Sequence, residues 1–153
     1  MIIAVDFDGT IVEHKYPKIG KEIPFAVATL KRIQADRHTL ILWSVREGRL
    51  LKEAVDWCRG RGLEFYAVNS NHPEEYYEGE EMPTAPRKLK ADLFIDDRNL
   101  GGLPDWGVIY QMISEGLTAQ EYYLNFSGQR SAPGQDSFLG RLKALWRHDG
   151  QIR

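Results

Sequence analysis

Short apolar runs alternate along this chain with stretches in which apolar residues recur at helical spacing. Residues 2–7 form the first run, and its lack of polar alternation predicts a strand buried on both faces. Residues 9–21, with Pro17 and Gly20, predict a loop. A helix is expected over 22–37, with Pro24 in its first turn and Phe25, Val27, Ala28, Leu30 and Ile33 as its apolar stripe. Residues 38–43 (HTLILW) predict a second strand. Over 49–59 the spacing of Leu50, Leu51, Ala54, Val55, Trp57 and Cys58 predicts a helix ended by Gly60 or Gly62. Strands are expected over 63–68 and 91–95, with a polar, acidic, proline-punctuated loop over 69–87 between them. Residues 106–110 predict a fifth strand and 117–126 a helix. The tail reads as a connector over 127–135 and a short amphipathic helix over 136–147. Phe138, Leu139, Leu142, Leu145 and Trp146 line one side of that helix, and Arg141, Lys143, Arg147 and His148 the other. The pattern divides the chain into a main domain over 1–126 and a tail over 127–153 that packs on it or extends from it.

Strands alternating with helices imply right-handed crossovers, hence an α/β fold with a mostly parallel sheet. Ligands of such sheets bind beyond the carboxyl ends of the strands. Asp8, Ser44 and Asp97 each sit at or just past such an end. The 153 residues suffice for one domain with a real core. The 42% hydrophobic and 27% charged residues fit a soluble globular protein, and a net charge of −2 removes any global footprint for nucleic acid or anionic membrane. The single cysteine, Cys58, permits no intramolecular disulfide, which agrees with a reducing cytoplasm. Neither a signal peptide nor a membrane-spanning run is evident, so the expectation is a cytoplasmic protein.

The chemistry gathers where apolar runs end in acids. Asp6 and Asp8 follow the first run, and Asp96 and Asp97 follow the run 91–95. A turn or helix-cap aspartate explains one acid, but not two pairs at two strand ends. Close carboxylates repel, and a divalent cation is the simplest reward for keeping them together. No Cys/His cluster points to zinc: His14, His38, His72 and His148 are scattered. His38 opens a strand and reads as structural, whereas His14 and His72 lie in loops near the expected site edge.

The segment Asp6-Phe7-Asp8-Gly9-Thr10 resembles the first motif of the haloacid dehalogenase superfamily. Ser44 after HTLILW, a lysine in Arg87-Lys88-Leu89-Lys90-Ala91-Asp92, and the pair Asp96-Asp97 resemble the other three motifs, in order, over roughly residues 1–102. The resemblance implies a Rossmann-like three-layer sandwich and a Mg2+-dependent phosphomonoester hydrolase. In that reading Asp6 is the nucleophile that forms an aspartyl-phosphate, and Asp8 is the acid and base, its main-chain carbonyl binding Mg2+. Ser44 hydrogen-bonds the phosphoryl group, and Lys88, with Lys90 as the alternative, pairs with phosphate and nucleophile. Asp97 is a direct Mg2+ ligand, with Asp96 orienting a metal-bound water or the lysine. Phe7 offers a backbone amide to a phosphoryl oxygen, and Gly9 allows the tight turn. Arg46 is either a second anion contact or an exposed loop arginine. A third acid often follows in this superfamily; Gly101 stands there, and Asn99 can compensate.

Both gaps in which such proteins carry a cap, 11–21 and 69–87, are too short to fold as a domain. A capless member is therefore expected, its site open to a bulky substrate or covered by a second copy acting as lid. A sugar phosphate or nucleotide is the first substrate expectation, and a phosphorylated nucleic-acid 3′ end the second, which the acidic loop disfavours. The rival of a different class is a non-catalytic module that binds Mg2+ and phosphate.

Overall fold

A computed structural model of the chain describes residues 1–74 and 88–127. The expected tail helix over 136–147, its connector from 128 onward, and most of the acidic loop (75–87) lie outside the described residues. The fold is α/β: a four-stranded, all-parallel sheet flanked by helices, consistent with a Rossmann-like three-layer sandwich. The strands are β1 (Ile2–Val5), β2 (Thr39–Leu42), β3 (Ala67–Val68) and β4 (Leu93–Ile95), in the spatial order β3-β2-β1-β4. The helices are α1 (Ala26–Ala35), α2 (Gly48–Arg59), α3 (Trp106–Glu115) and α4 (Ala119–Ser127). The chain falls into two compact units, Met1–Ser114 and Glu115–Arg153.

The strand period of two sorts the sheet residues onto two faces. Ile3, Val5, Leu40 and Leu42 join one core cluster with Leu30 and Ile33 of α1, Ala54 and Cys58 of α2, and Trp106, Ile109 and Ile113 of α3. Ala4, Ile41 and Ala67 face the other way and pack with Leu89. This two-sided burial is why the strands read as unbroken apolar runs. Ala4 pairs with Ile41 on one side and Phe94 on the other, so β1 lies between β2 and β4.

Several elements differ from the sequence expectation, each for a local reason. The helix expected from residue 22 begins only at Ala26, because the Ile23 amide donates to the Ile11 carbonyl and Glu22 bridges Val12. Those contacts hold the turn before the helix in the loop that follows β1. The third strand is only Ala67–Val68, although Leu63 is buried in the core. The expected strand over 106–110 is instead the first half of α3. Trp106, Ile109 and Ile113 are buried at helical spacing, and the Asp105 carboxylate accepts from the Gly107 amide at 2.8 Å, capping the first turn. The β-favouring composition of Trp106 to Tyr110 is overridden by that cap and by the apolar spacing. In the second unit, Thr118 and Glu121 exchange hydrogen bonds as a capping box that starts α4.

Among the described residues no helix is long and apolar enough to cross a membrane.

Candidate functional site

The order β3-β2-β1-β4 places the site. The chain moves from β1 outward to β2 and β3, then returns to the opposite side of β1 for β4. That reversal leaves a crevice at the carboxyl ends of β1 and β4, the place where open parallel sheets accept ligands. Asp6 is the residue after β1, and its amide donates to the Ile95 carbonyl at 2.9 Å. Asp96 is the residue after β4. The two acid pairs are therefore neighbours, although ninety residues separate them in sequence.

Asp6, Asp96 and Asp97 each offer a carboxylate oxygen to a cluster whose members all lie within 4.8 Å of one another, close enough to hold one metal ion. One Thr10 hydroxyl ties them: it donates to Asp6 Oδ2 at 3.2 Å and accepts from the Asp97 amide at 3.1 Å. Asp97 Oδ1 is buried with no hydrogen-bond partner, a costly state for a carboxylate unless a cation completes it. The Asp97 carboxylate also lies against Gly9, where a Cβ would fall 2.2 Å from Asp97 Oδ2. Gly9 has φ +92°, so both space and backbone require glycine. Oxygen-only donors crowded in this way suit a hard divalent ion such as Mg2+.

Burial pushes the Asp6 carboxyl up to about 6, and the nearby Asp96 and Asp97 add to the rise, against the Phe7 amide and the Thr10 hydroxyl, which lower it. A bound cation would act in the opposite direction.

Asp8 is almost wholly buried and faces Arg46. Arg46 Nε and Nη2 donate to the two Asp8 oxygens, each at 2.6 Å. The guanidinium also donates to the carbonyls of Pro17 and Lys18, each at 3.0 Å. Arg46 is thus neither an exposed loop residue nor turned to an open cleft; it is 0% exposed.

Asp6, Asp8 and Asp96 line a cleft of about 320 Å³, together with Ser44 and His14. Tyr16, Trp43 and Val45 give the cleft an apolar wall, and Arg98 brings a cation to it. The Ser44 segment is fixed from β3: Asn69 Oδ1 accepts from the Ser44 amide, and Asn69 Nδ2 donates to the Ser44 carbonyl, both at 2.8 Å.

Among the sequence-predicted residues, the structure brings Asp6, Asp8, Ser44, Asp96 and Asp97 to this end of the sheet. Phe7 is buried in the core, its ring edge-on to Trp57 at 5.7 Å. Lys88 does not line the cleft; it is exposed, its ammonium 5.5 Å from the centre of the Phe94 ring, which packs on Trp43 of the cleft wall. Lys90 is exposed too, its amide donating to Asn71. Asn99 donates to the Phe94 carbonyl at 3.3 Å and does not line the cleft. Sequence reasoning missed Thr10, Trp43, Tyr16 and Arg98, and it placed Asn69 only in the acidic loop, without its tie to Ser44. Thr10 carried a signal, since it belongs to the Asp-Gly-Thr turn; Arg98 directly follows an acid pair; the others gave none.

Neither a family model nor a curated protein matches the chain. Among solved structures, the chain is similar to the conserved protein coded by a locus of Bacteroides thetaiotaomicron, with 66% identity and a TM-score of 0.72. The match covers 80% of this chain and 97% of that one.

Proposed function

We propose that this chain, which belongs to the same family as the conserved Bacteroides thetaiotaomicron protein, is a Mg2+-dependent phosphomonoester hydrolase of the haloacid dehalogenase type. The observation that carries the reading is the convergence of Asp6, Asp96 and Asp97, with one Asp97 oxygen buried and unpartnered. Such a cluster is compatible with a bound cation, and Asp8 beside it adds the second carboxylate that the chemistry needs.

The reaction has two displacements. An Asp6 oxygen attacks phosphorus in line, the bond from phosphorus to the ester oxygen breaks, and Asp8 gives that oxygen its proton. Water then attacks the same phosphorus and Asp8 takes its proton. The bond to Asp6 breaks, releasing inorganic phosphate and restoring the carboxylate. A divalent cation held by Asp6, Asp96, Asp97 and the Asp8 carbonyl would neutralise charge on the phosphoryl oxygens. Ser44 supplies a hydroxyl to the phosphoryl group. Arg98 is the cleft cation that takes the part the resemblance gave to Lys88.

The apolar wall of Tyr16, Trp43 and Val45 suits a phosphorylated small molecule with one apolar or flat face, a nucleotide ahead of a sugar phosphate. A cytoplasmic setting suits Cys58, which is free and buried. That Lys88 is not among the residues lining the cleft favours, as the second reading, a module that binds Mg2+ and phosphate without turnover.

Hydrolysis of p-nitrophenyl phosphate separates the two. The hydrolase reading expects Mg2+-dependent release of phosphate, abolished in Asp6→Asn while the fold persists. Phosphate binding without turnover in the wild type, or full activity in Asp6→Asn, contradicts it.

A further inference from the structure

A wholly buried arginine is expensive unless all of its charge is used, and Arg46 uses it on two different segments. Its Nε and one Nη2 donor form a fork on both oxygens of Asp8, at the end of β1. The remaining hydrogen bonds of its side chain go to the Pro17 and Lys18 carbonyls, in the loop that follows β1. The Phe7 ring centre lies 5.2 Å and the Tyr16 ring centre 5.4 Å from its guanidinium carbon. No carbonyl or ring contact of this kind is needed to bind a substrate anion. They form a clamp between the strand end and the loop.

The loop matters because it carries His14 and Tyr16 to the cleft, while Lys15, Tyr16, Pro17 and Lys18 are themselves exposed. The Glu13 amide ties the base of this exposed stretch to the Lys21 carbonyl, and the Arg46 guanidinium holds the carbonyls of Pro17 and Lys18 farther along it. Asp8 depends on it as well: the fork fixes both carboxylate oxygens, while the residue still lines the cleft in which a substrate or water would meet it. Lysine cannot reproduce this geometry, because a point ammonium cannot fork onto two oxygens and reach two carbonyls at once.

We infer that Arg46 is a positioning residue that holds the Asp8 carboxylate at the ester oxygen and pins the loop 13–18 as the rim of the cleft. This rests on the reading of Asp8 as acid and base, and it gives Arg46 no contact with substrate. Its signature is a dependence on the leaving group. A poorly leaving alkoxide needs the Asp8 proton, whereas 2,4-dinitrophenolate leaves without one.

The test compares wild type, Arg46→Lys, Asp8→Asn and the double variant Asp8→Asn/Arg46→Met on an alkyl phosphate and on 2,4-dinitrophenyl phosphate, with Mg2+. Tryptic cleavage after Lys15 and Lys18 is followed in parallel. The expected result for Arg46→Lys is a kcat/KM loss, which reports the first displacement alone, of roughly tenfold or more on the alkyl ester, with a loss of less than about threefold on the aryl ester. Faster cleavage of the loop should accompany it. The double variant removes both charges together, which keeps a folded protein in hand if Arg46→Lys is unstable. On the alkyl ester its kcat/KM should fall less than about threefold below that of Asp8→Asn alone, the share left to the loop. Equal losses on both esters, unchanged loop cleavage, or an additive double variant would overturn the inference. A wild type that hydrolyses neither ester removes the phosphatase reading itself and the Asp8 half of the inference with it; unchanged loop cleavage then decides against the other half.

Discussion

At the scale of single residues, the site is held by groups whose environments oppose one another. Asp6 retains its proton more tightly folded than unfolded, about 6 against 3.8, chiefly because it is buried. Between those values the folded state binds more protons than the unfolded one. Metal-free stability therefore falls as pH rises from about 4 to about 6, by at most about 3 kcal/mol, and the penalty stays in full above that range. Chemical denaturation across this range in EDTA should show that slope. Asp6→Asn should flatten it and raise metal-free stability at neutral pH, even as turnover is lost. Mg2+ opposes the proton at Asp6, so the stabilisation by Mg2+ should grow from pH 5 to pH 7. Gly9→Ala tests the neighbouring contact. With Asp97 Oδ2 only 2.2 Å from the added Cβ and φ at +92°, it should cost about 2 kcal/mol or more and weaken cation binding. The four aspartates could be read from sequence because each pair ends an apolar run. Arg46 could not: its partner Asp8 lies 38 positions earlier, and no local pattern distinguishes a buried ion pair from an exposed arginine.

At the scale of elements, the strands position the acids and short polar links hold the strand ends in register. Asn69 exchanges two hydrogen bonds with Ser44 across the ends of β3 and β2, and its φ of 51° is one that asparagine tolerates better than most residues. Asn69→Ala should therefore lose both bonds and strain the backbone, lowering stability by about 2 kcal/mol in a urea titration. The loss of phosphatase activity should exceed that of an equally destabilising core change, because the Ser44 loop is what moves. The four strands were readable as apolar runs because both faces of the sheet are covered. Their lengths were not, since flanking apolar residues such as Leu63 are buried by packing without joining the ladder. The segment Trp106 to Tyr110 misled because its aromatic and β-branched composition favours strands. Its helical character lies in the Asp105 cap and in Ile113, beyond the five residues that suggested a strand.

At the scale of the molecule, one topological reversal accounts for the site. Strand β4 returns beside β1, so acids ninety positions apart come within reach of a single ion. The proposed function stands or falls with that ion. Calorimetric titration of the metal-free protein with Mg2+ at neutral pH, for the wild type and Asp97→Asn, decides whether it binds. Saturable binding is expected for the wild type, weakened roughly tenfold or more in a variant that remains folded. Absence of binding to the folded wild type, or equal affinity in both proteins, would contradict it.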